Sequence, residues 1–151
     1  MVEFTVPGLH GKDRPRMTRG GHVYTPKATE DFEDKVQWCF RRAVHGPIVP
    51  LTGPVSVTIK AYHPIPRSAP KCRILQMLAA ILRPLVKPDI DNVIKIVLDA
   101  LNGLGYKDDK QVVELHAYKF YMEGGGATYI RVEEAAREAA RPSQRAKEET
   151  V

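Results

Sequence analysis

Between Gly53-Pro54 and His63-Pro64-Ile65-Pro66, the apolar residues Val55, Val57, Ile59 and Ala61 alternate with Ser56, Thr58 and Lys60. A period of two sends every second side chain to the same side, so Val55 to Tyr62 predicts a strand with one buried face. Such a strand needs sheet neighbours and a layer packed on its apolar side, which excludes an all-helical chain. The prolines that follow predict that His63 to Ser68 is not part of a regular central element.

The remaining elements can be read from caps, breakers and periodicity. After Thr25-Pro26, a cap followed by proline at the first helical position, Phe32, Val36, Cys39, Phe40 and Ala43 recur at helical spacing until Gly46-Pro47. Asp91 to Leu101 repeats the pattern with Val93, Ile94, Val97, Leu98 and Leu101, and Asn102-Gly103 ends it. Pro70 to Leu82 reads as a short helix closed by Arg83-Pro84. Strands are expected at Glu3 to Val6 and Val112 to Met122. After a turn at Gly124-Gly125-Gly126, Thr128 to Val132 is expected to return antiparallel. Arg14 to Tyr24 reads as a hairpin turning at Gly20-Gly21. With 151 residues, 43% of them hydrophobic, the chain is the size of one domain. That domain is expected over residues 1–132, with 133–151 a charged tail or terminal helix.

The net charge of +5 hides two opposed segments. From Lys35 through Pro88 there are nine basic residues and no acidic one; from Asp89 to Asp109 there are five aspartates against Lys95 and Lys107. Clustered aspartates weaken a polyanion surface unless a cation sits among them, so the pattern points to a metal held against a phosphate. Separate solvated faces are the ordinary alternative.

The most informative stretch is Lys87-Pro88-Asp89-Ile90-Asp91-Asn92-Val93-Ile94-Lys95. Pro88 disfavours helix at Lys87, so the chain is expected to arrive extended and to become helical at Asp91 or Asn92. In extended chain, residues two apart share a face about 6.6 Å apart, which lets Asp89 and Asp91 share one magnesium ion. The positive end of the following helix lowers the cost of placing two carboxylates there. Lys95 lies one turn on from Asp91, and Asp99 one turn beyond Lys95. A second carboxylate source, Asp108-Asp109, sits in a loop from which it can fold back toward Asp89 and Asp91. Convergent aspartates suit Mg²⁺ or Mn²⁺ better than zinc and polarise a phosphodiester for attack by water. Each piece also has a structural reading: Asp91 as a helix cap, Asp99 as the ion-pair partner of Lys95, Asp108-Asp109 as a turn before a strand.

With those residues in hand, the chain resembles the RusA family of Holliday junction resolvases, small endodeoxyribonucleases of bacteria and their prophages. The resemblance rests on Lys87 to Lys95, on Leu98-Asp-Ala-Leu-Asn-Gly103 and on Tyr106-Lys-Asp-Asp-Lys-Gln-Val-Val113. Gly11-Lys-Asp-Arg-Pro-Arg16 and Gly21-His-Val-Tyr-Thr-Pro-Lys27 echo it more weakly. It implies an α+β fold, a single small domain with a mixed β-sheet packed by two main helices, in a homodimer. It further implies a Mg²⁺-dependent enzyme that resolves four-way DNA junctions by paired nicks in recombination and repair. Carried over by position, the essential carboxylates are Asp89, Asp91 and Asp109, the functional lysine is Lys95, and Asp108 is an auxiliary ligand. The apolar segment Cys72 to Val86 and the tail after Val132 depart from the compact members of the family.

Arg14, Arg16, Arg19, Lys27, Arg67, Lys71 and Arg73 are the expected phosphate contacts, positioning DNA rather than reading its bases. The two cysteines, Cys39 and Cys72, are too few for a disulfide scaffold or a cysteine-rich zinc module, which fits a reducing cytoplasm. No leader and no membrane span are expected. The competing readings are a non-catalytic DNA-binding or assembly protein with structural aspartates, and a metal-dependent hydrolase of small phosphate esters.

Overall fold

A computed structural model describes residues 1–136. In chain order it contains β1 (Val2–Pro7), β2 (Arg16–Met17), β3 (Val23–Tyr24), α1 (Lys27–Ala43), β4 (Val55–Pro64), α2 (Lys71–Leu78), α3 (Ile90–Leu101), β5 (Val112–Met122) and β6 (Ala127–Glu134). The architecture is α+β: one mixed four-stranded sheet in the order β1-β6-β4-β5, with three helices and a separate two-stranded hairpin, β2-β3.

β4 is the central element, as its alternation requires. It pairs antiparallel with β6, Ile59 opposite Ile130, and parallel with β5, Ile59 opposite Ala117. Val55, Val57, Ile59 and Ala61 are all at most 1% exposed. α1 covers them with Phe32, Val36 and Phe40, and α3 with Val93, Ile96, Val97, Ala100 and Leu101. Phe40 meets Phe4 of β1 edge to face, ring centroids 5.8 Å apart.

Several boundaries differ from the sequence expectation. β4 runs through Pro64 because β6 has left its edge after Tyr62, so the missing proline N–H breaks no β6 pairing. α1 starts at Lys27 with Pro26 as its cap position, since the Pro26 carbonyl accepts from Thr29. α2 stops at Leu78 rather than Leu82: Ala80 is left-handed at φ 58°, and the N–H groups of Ile81 and Leu82 turn back onto the Gln76 carbonyl. The final strand extends to Glu134, past the 132 boundary; of the expected tail, residues 137–151 lie outside the described residues.

The largest departure is that β5 and β6 run antiparallel without pairing, because β4 lies between them. The Gly124–Gly126 connection therefore spans the end of β4 rather than closing a hairpin. Gly126 makes this passage at φ 88°, where a Cβ would stand 3.0 Å from the Tyr62 carbonyl oxygen and 3.4 Å from Pro64. Gly126→Ala is expected to lose about 1–3 kcal/mol of stability in urea unfolding through backbone strain. Gly125→Ala, which meets nothing within 4 Å, stays within about 0.5 kcal/mol of wild type.

Candidate active site

The parallel pairing of β4 and β5 obliges the chain to cross back over the sheet, and α3 is the core-packed helix of that crossover. Its N-terminus therefore lies at the C-terminal end of β4. Two contacts mark this end: Lys119, opposite Ala61, donates to the Val86 carbonyl at 2.7 Å, and the buried His63 ring approaches the Pro88 backbone. Burial, with the neighbouring Lys119 charge, holds the His63 pKa below its usual value.

The chain enters α3 through a cis Lys87–Pro88 peptide bond. Asp89 is the cap position, and its carbonyl takes the first helical N–H, from Val93 at 3.1 Å. The helix thus begins one to two residues earlier than expected, and Asp91 falls inside the first turn rather than on an extended segment shared with Asp89. Both carboxylates are exposed, and the Asp89 side chain makes no capping bond. None of the ion pairs among the described residues involves Asp89, Asp91 or Asp109. Two unpaired carboxylates therefore stand at the positive end of a twelve-residue helix.

A second wall faces them. Asp89, Lys87 and Asn92 line a cleft of about 370 Å³ together with His10, Lys12 and Asp13 from the segment after β1. This segment is seated on α3 without room for a side chain: a Cβ on Gly11 would come within 2.9 Å of Pro88 Cβ and 3.0 Å of Asn92 Cβ. The Lys12 N–H donates to the Asn92 carbonyl at 2.9 Å. Asp13 accepts from the Thr29 hydroxyl at 3.0 Å and pairs with His10 at 3.1 Å. Those contacts, the Thr29 hydrogen bond first, hold the Asp13 carboxyl below the usual carboxylate range. His10, Lys12 and Asp13 were not legible as site residues, because only the packing of Gly11 on α3 brings them there; the Gly11-Lys-Asp-Arg motif was their one trace.

The other expected ligands lie elsewhere. Asp108 and Asp109 belong to the turn that starts β5, and this turn packs on the N-terminal end of β4: Gln111 donates to the Leu51 and Gly53 carbonyls at 2.8 and 2.9 Å. Tyr106, fully buried, donates to the Leu98 carbonyl at 2.8 Å and pins the same loop to the second half of α3. The loop therefore does not fold back over Asp89 and Asp91. It sits at the opposite end of α3, about 18 Å of helix away. Asp108 is engaged locally, accepting from the Lys110 N–H at 3.0 Å in a capping box with Gln111. Among the described residues no three carboxylate, histidine or cysteine groups stand close enough to hold one ion.

Lys95 pairs with Asp99 at 3.0 Å, and Asp99 is held from its other side by Lys12 at 3.3 Å. Lys12 also pairs with Glu33 of α1. Burial opposes its charge, but Glu33 and Asp99 together raise its pKa. The seven expected phosphate contacts are all exposed and take no part in an ion pair among the described residues. Arg14, Arg16, Arg19 and Lys27 follow the cleft wall directly, on the β2-β3 hairpin and the start of α1. Arg67, Lys71 and Arg73 form a separate group before and at the start of α2. Because the folded-state pKa of Asp13 is lowered, its contribution to stability is present above the ordinary carboxylate pKa and lost as pH falls through the lowered one. Asp13→Asn is accordingly expected to be less stable than wild type at pH 7, with the gap closing as unfolding is repeated at pH values down through the carboxylate range.

Comparison with known proteins gives this arrangement a family. Residues 7–133 match the family model described as "Endodeoxyribonuclease RusA". YqaN of Bacillus subtilis (strain 168), a protein described as uncharacterized, is 40% identical over 128 residues, covering 81% of this chain and 89% of YqaN. The match spans β6, the hairpin, both core helices and the cleft, and on it the chain belongs to the RusA endodeoxyribonuclease family.

Proposed function

We propose that this protein is a divalent-metal-dependent nuclease that resolves four-way DNA junctions by paired nicks in recombination and repair, acting as a homodimer in the cytoplasm. The observation that carries the reading is the pair Asp89 and Asp91: exposed carboxylates outside every ion pair among the described residues, at the cap and in the first turn of α3, with the cleft beside Asp89 and the Arg14 to Lys27 cations following its wall in the chain. The donors are all carboxylate oxygens, which suits Mg²⁺ or Mn²⁺. Asp89, Asp91 and Asp109 would hold the ion, with Asp108 as an auxiliary. When bound, the ion would polarise the scissile phosphate and favour ionisation of an attacking water.

Asp109 reaches Asp89 and Asp91 only from a second copy of the chain, because α3 separates them within one copy. This gives the dimer a chemical reason beyond the symmetry of its substrate: each centre takes two carboxylates from one copy and a third from the other. Exposed apolar side chains could supply part of the interface between copies. Leu75, Ile81 and Leu85, exposed by 69, 70 and 94%, stand out from the α2 segment, with Val113 of β5 also exposed. The arginines and lysines hold the phosphate backbone while Lys95, paired with Asp99, adds positive charge along the same face of α3. No helix among the described residues is long and apolar enough to cross a membrane.

In the presence of Mg²⁺ or Mn²⁺ the protein is expected to nick a synthetic four-way junction, and Asp91→Asn to bind that junction while cutting it at least about a hundredfold more slowly. Binding without nicking under any divalent cation would instead make this a non-catalytic DNA-binding protein. Junction affinity should also fall steeply with salt. If the four cations beside the cleft each neutralise one phosphate, the log–log slope is about −3.6, and Arg16→Ala makes it shallower by about one.

A further inference from the structure

Lys95 stands on one face of α3 between two carboxylates, Asp91 one turn before it and Asp99 one turn after. Helix geometry by itself favours the first partner, since an acid four residues N-terminal to a lysine makes the better pair. The structure shows the second: Lys95 Nζ lies 3.0 Å from Asp99 Oδ1, and no pair with Asp91 forms. What distinguishes Asp99 is its support. Its other oxygen lies 3.3 Å from Lys12 Nζ, and Lys12 is fixed at its backbone by the Asn92 carbonyl and at its ammonium by Glu33. The Asp99 side chain is only 23% exposed, while Lys95 remains 58% exposed. A carboxylate already ordered by one lysine costs little further entropy when it captures a second.

We propose that Asp99 is a positioning residue that draws the Lys95 ammonium away from Asp91 and so leaves the Asp91 carboxylate free to take a divalent cation. Lys12 is the anchor that keeps Asp99 in place. The division of labour follows from charge: a lysine paired with Asp91 competes directly with the ion, whereas the same lysine held one turn away still contributes positive charge along that face. The step from Lys95 placement to cation binding rests on Asp91 being a ligand, as proposed above; the placement of Lys95 does not.

A double-mutant cycle on Mn²⁺ binding, followed by electron paramagnetic resonance of free Mn²⁺, tests it together with nuclear magnetic resonance of the lysine Nζ groups. Asp99→Asn is expected to weaken Mn²⁺ binding about two- to fivefold, the size of one exposed ion pair. Lys95→Met should change it little with Asp99 present and recover that loss with Asp99 absent, while Asp99→Glu stays near wild type. In the Nζ spectra, Asp99→Asn should move the Lys95 signal, and adding Asp91→Asn should move it again as the new partner is removed. Strictly additive effects on Mn²⁺, which a general change of field would produce, overturn the proposal. A Lys95 signal indifferent to Asp99 overturns it as well. If Asp91→Asn leaves Mn²⁺ binding intact while Lys95 still transfers to Asp91 in the Nζ spectra, the ligand assignment fails and the positioning of Lys95 stands.

Discussion

The parallel pairing of β4 with β5 is the constraint from which the rest follows. Parallel neighbours cannot be joined by a tight turn, so the chain leaves the end of β4 and returns to its beginning before β5 can start. α3 makes that return across the apolar face, which explains why it buries Val93, Ile96, Val97, Ala100 and Leu101 so completely. One consequence is local: the helix N-terminus, with its partial positive charge, emerges beside β1's end, where Gly11 lets the following segment lie directly on it. The other is long-range: whatever precedes α3 and whatever follows it are held a helix length apart.

The aspartates sort themselves along this frame. Asp13 is held by Thr29 and His10, Asp99 by two lysines, and Asp108 by the turn it caps. Asp89 and Asp91 carry no such obligation. In water a pair of unpartnered carboxylates on one helical turn repel each other, and the helix dipole offsets only part of that. A divalent ion and the phosphate it binds would complete the balance, and would make the basic residues and the acidic ones parts of a single electrostatic arrangement rather than opposed surfaces.

Much of this was legible in the chain. The alternation in Val55 to Ala61 and the spacing in Phe32 to Phe40 identify the core faces of β4 and α1, because burial on one side leaves a periodic trace; in α3 the spacing finds Val93, Val97 and Leu101, but it misses the buried Ile96 and Ala100 and names Ile94 and Leu98, which are only partly buried. Adjacency leaves none: three glycines after Met122 look the same whether the chain closes a hairpin or steps over a strand, and β4 lies between β5 and β6 for reasons of global pairing. The cap of α3 moved to Asp89 because the Asp89 carbonyl, rather than any side chain, receives the first helical bond. The Lys12, Glu33 and Asp99 cluster joins three distant segments, so spacing could not announce it. Asp108-Asp109 followed a helix closely enough in sequence to suggest proximity, yet the helix itself is the spacer.

The central claim, that each metal centre is completed by Asp109 of a second copy, is tested most directly by mixing two inactive variants. Asp91→Asn and Asp109→Asn homodimers each lack a ligand at both centres. Refolded together, their heterodimer holds one centre with both ligands intact and one with neither. The account predicts that Mg²⁺-dependent nicking of a four-way junction, absent from either variant alone, returns in the mixture. A mixture as inactive as its components would place all three carboxylates in one copy and contradict it.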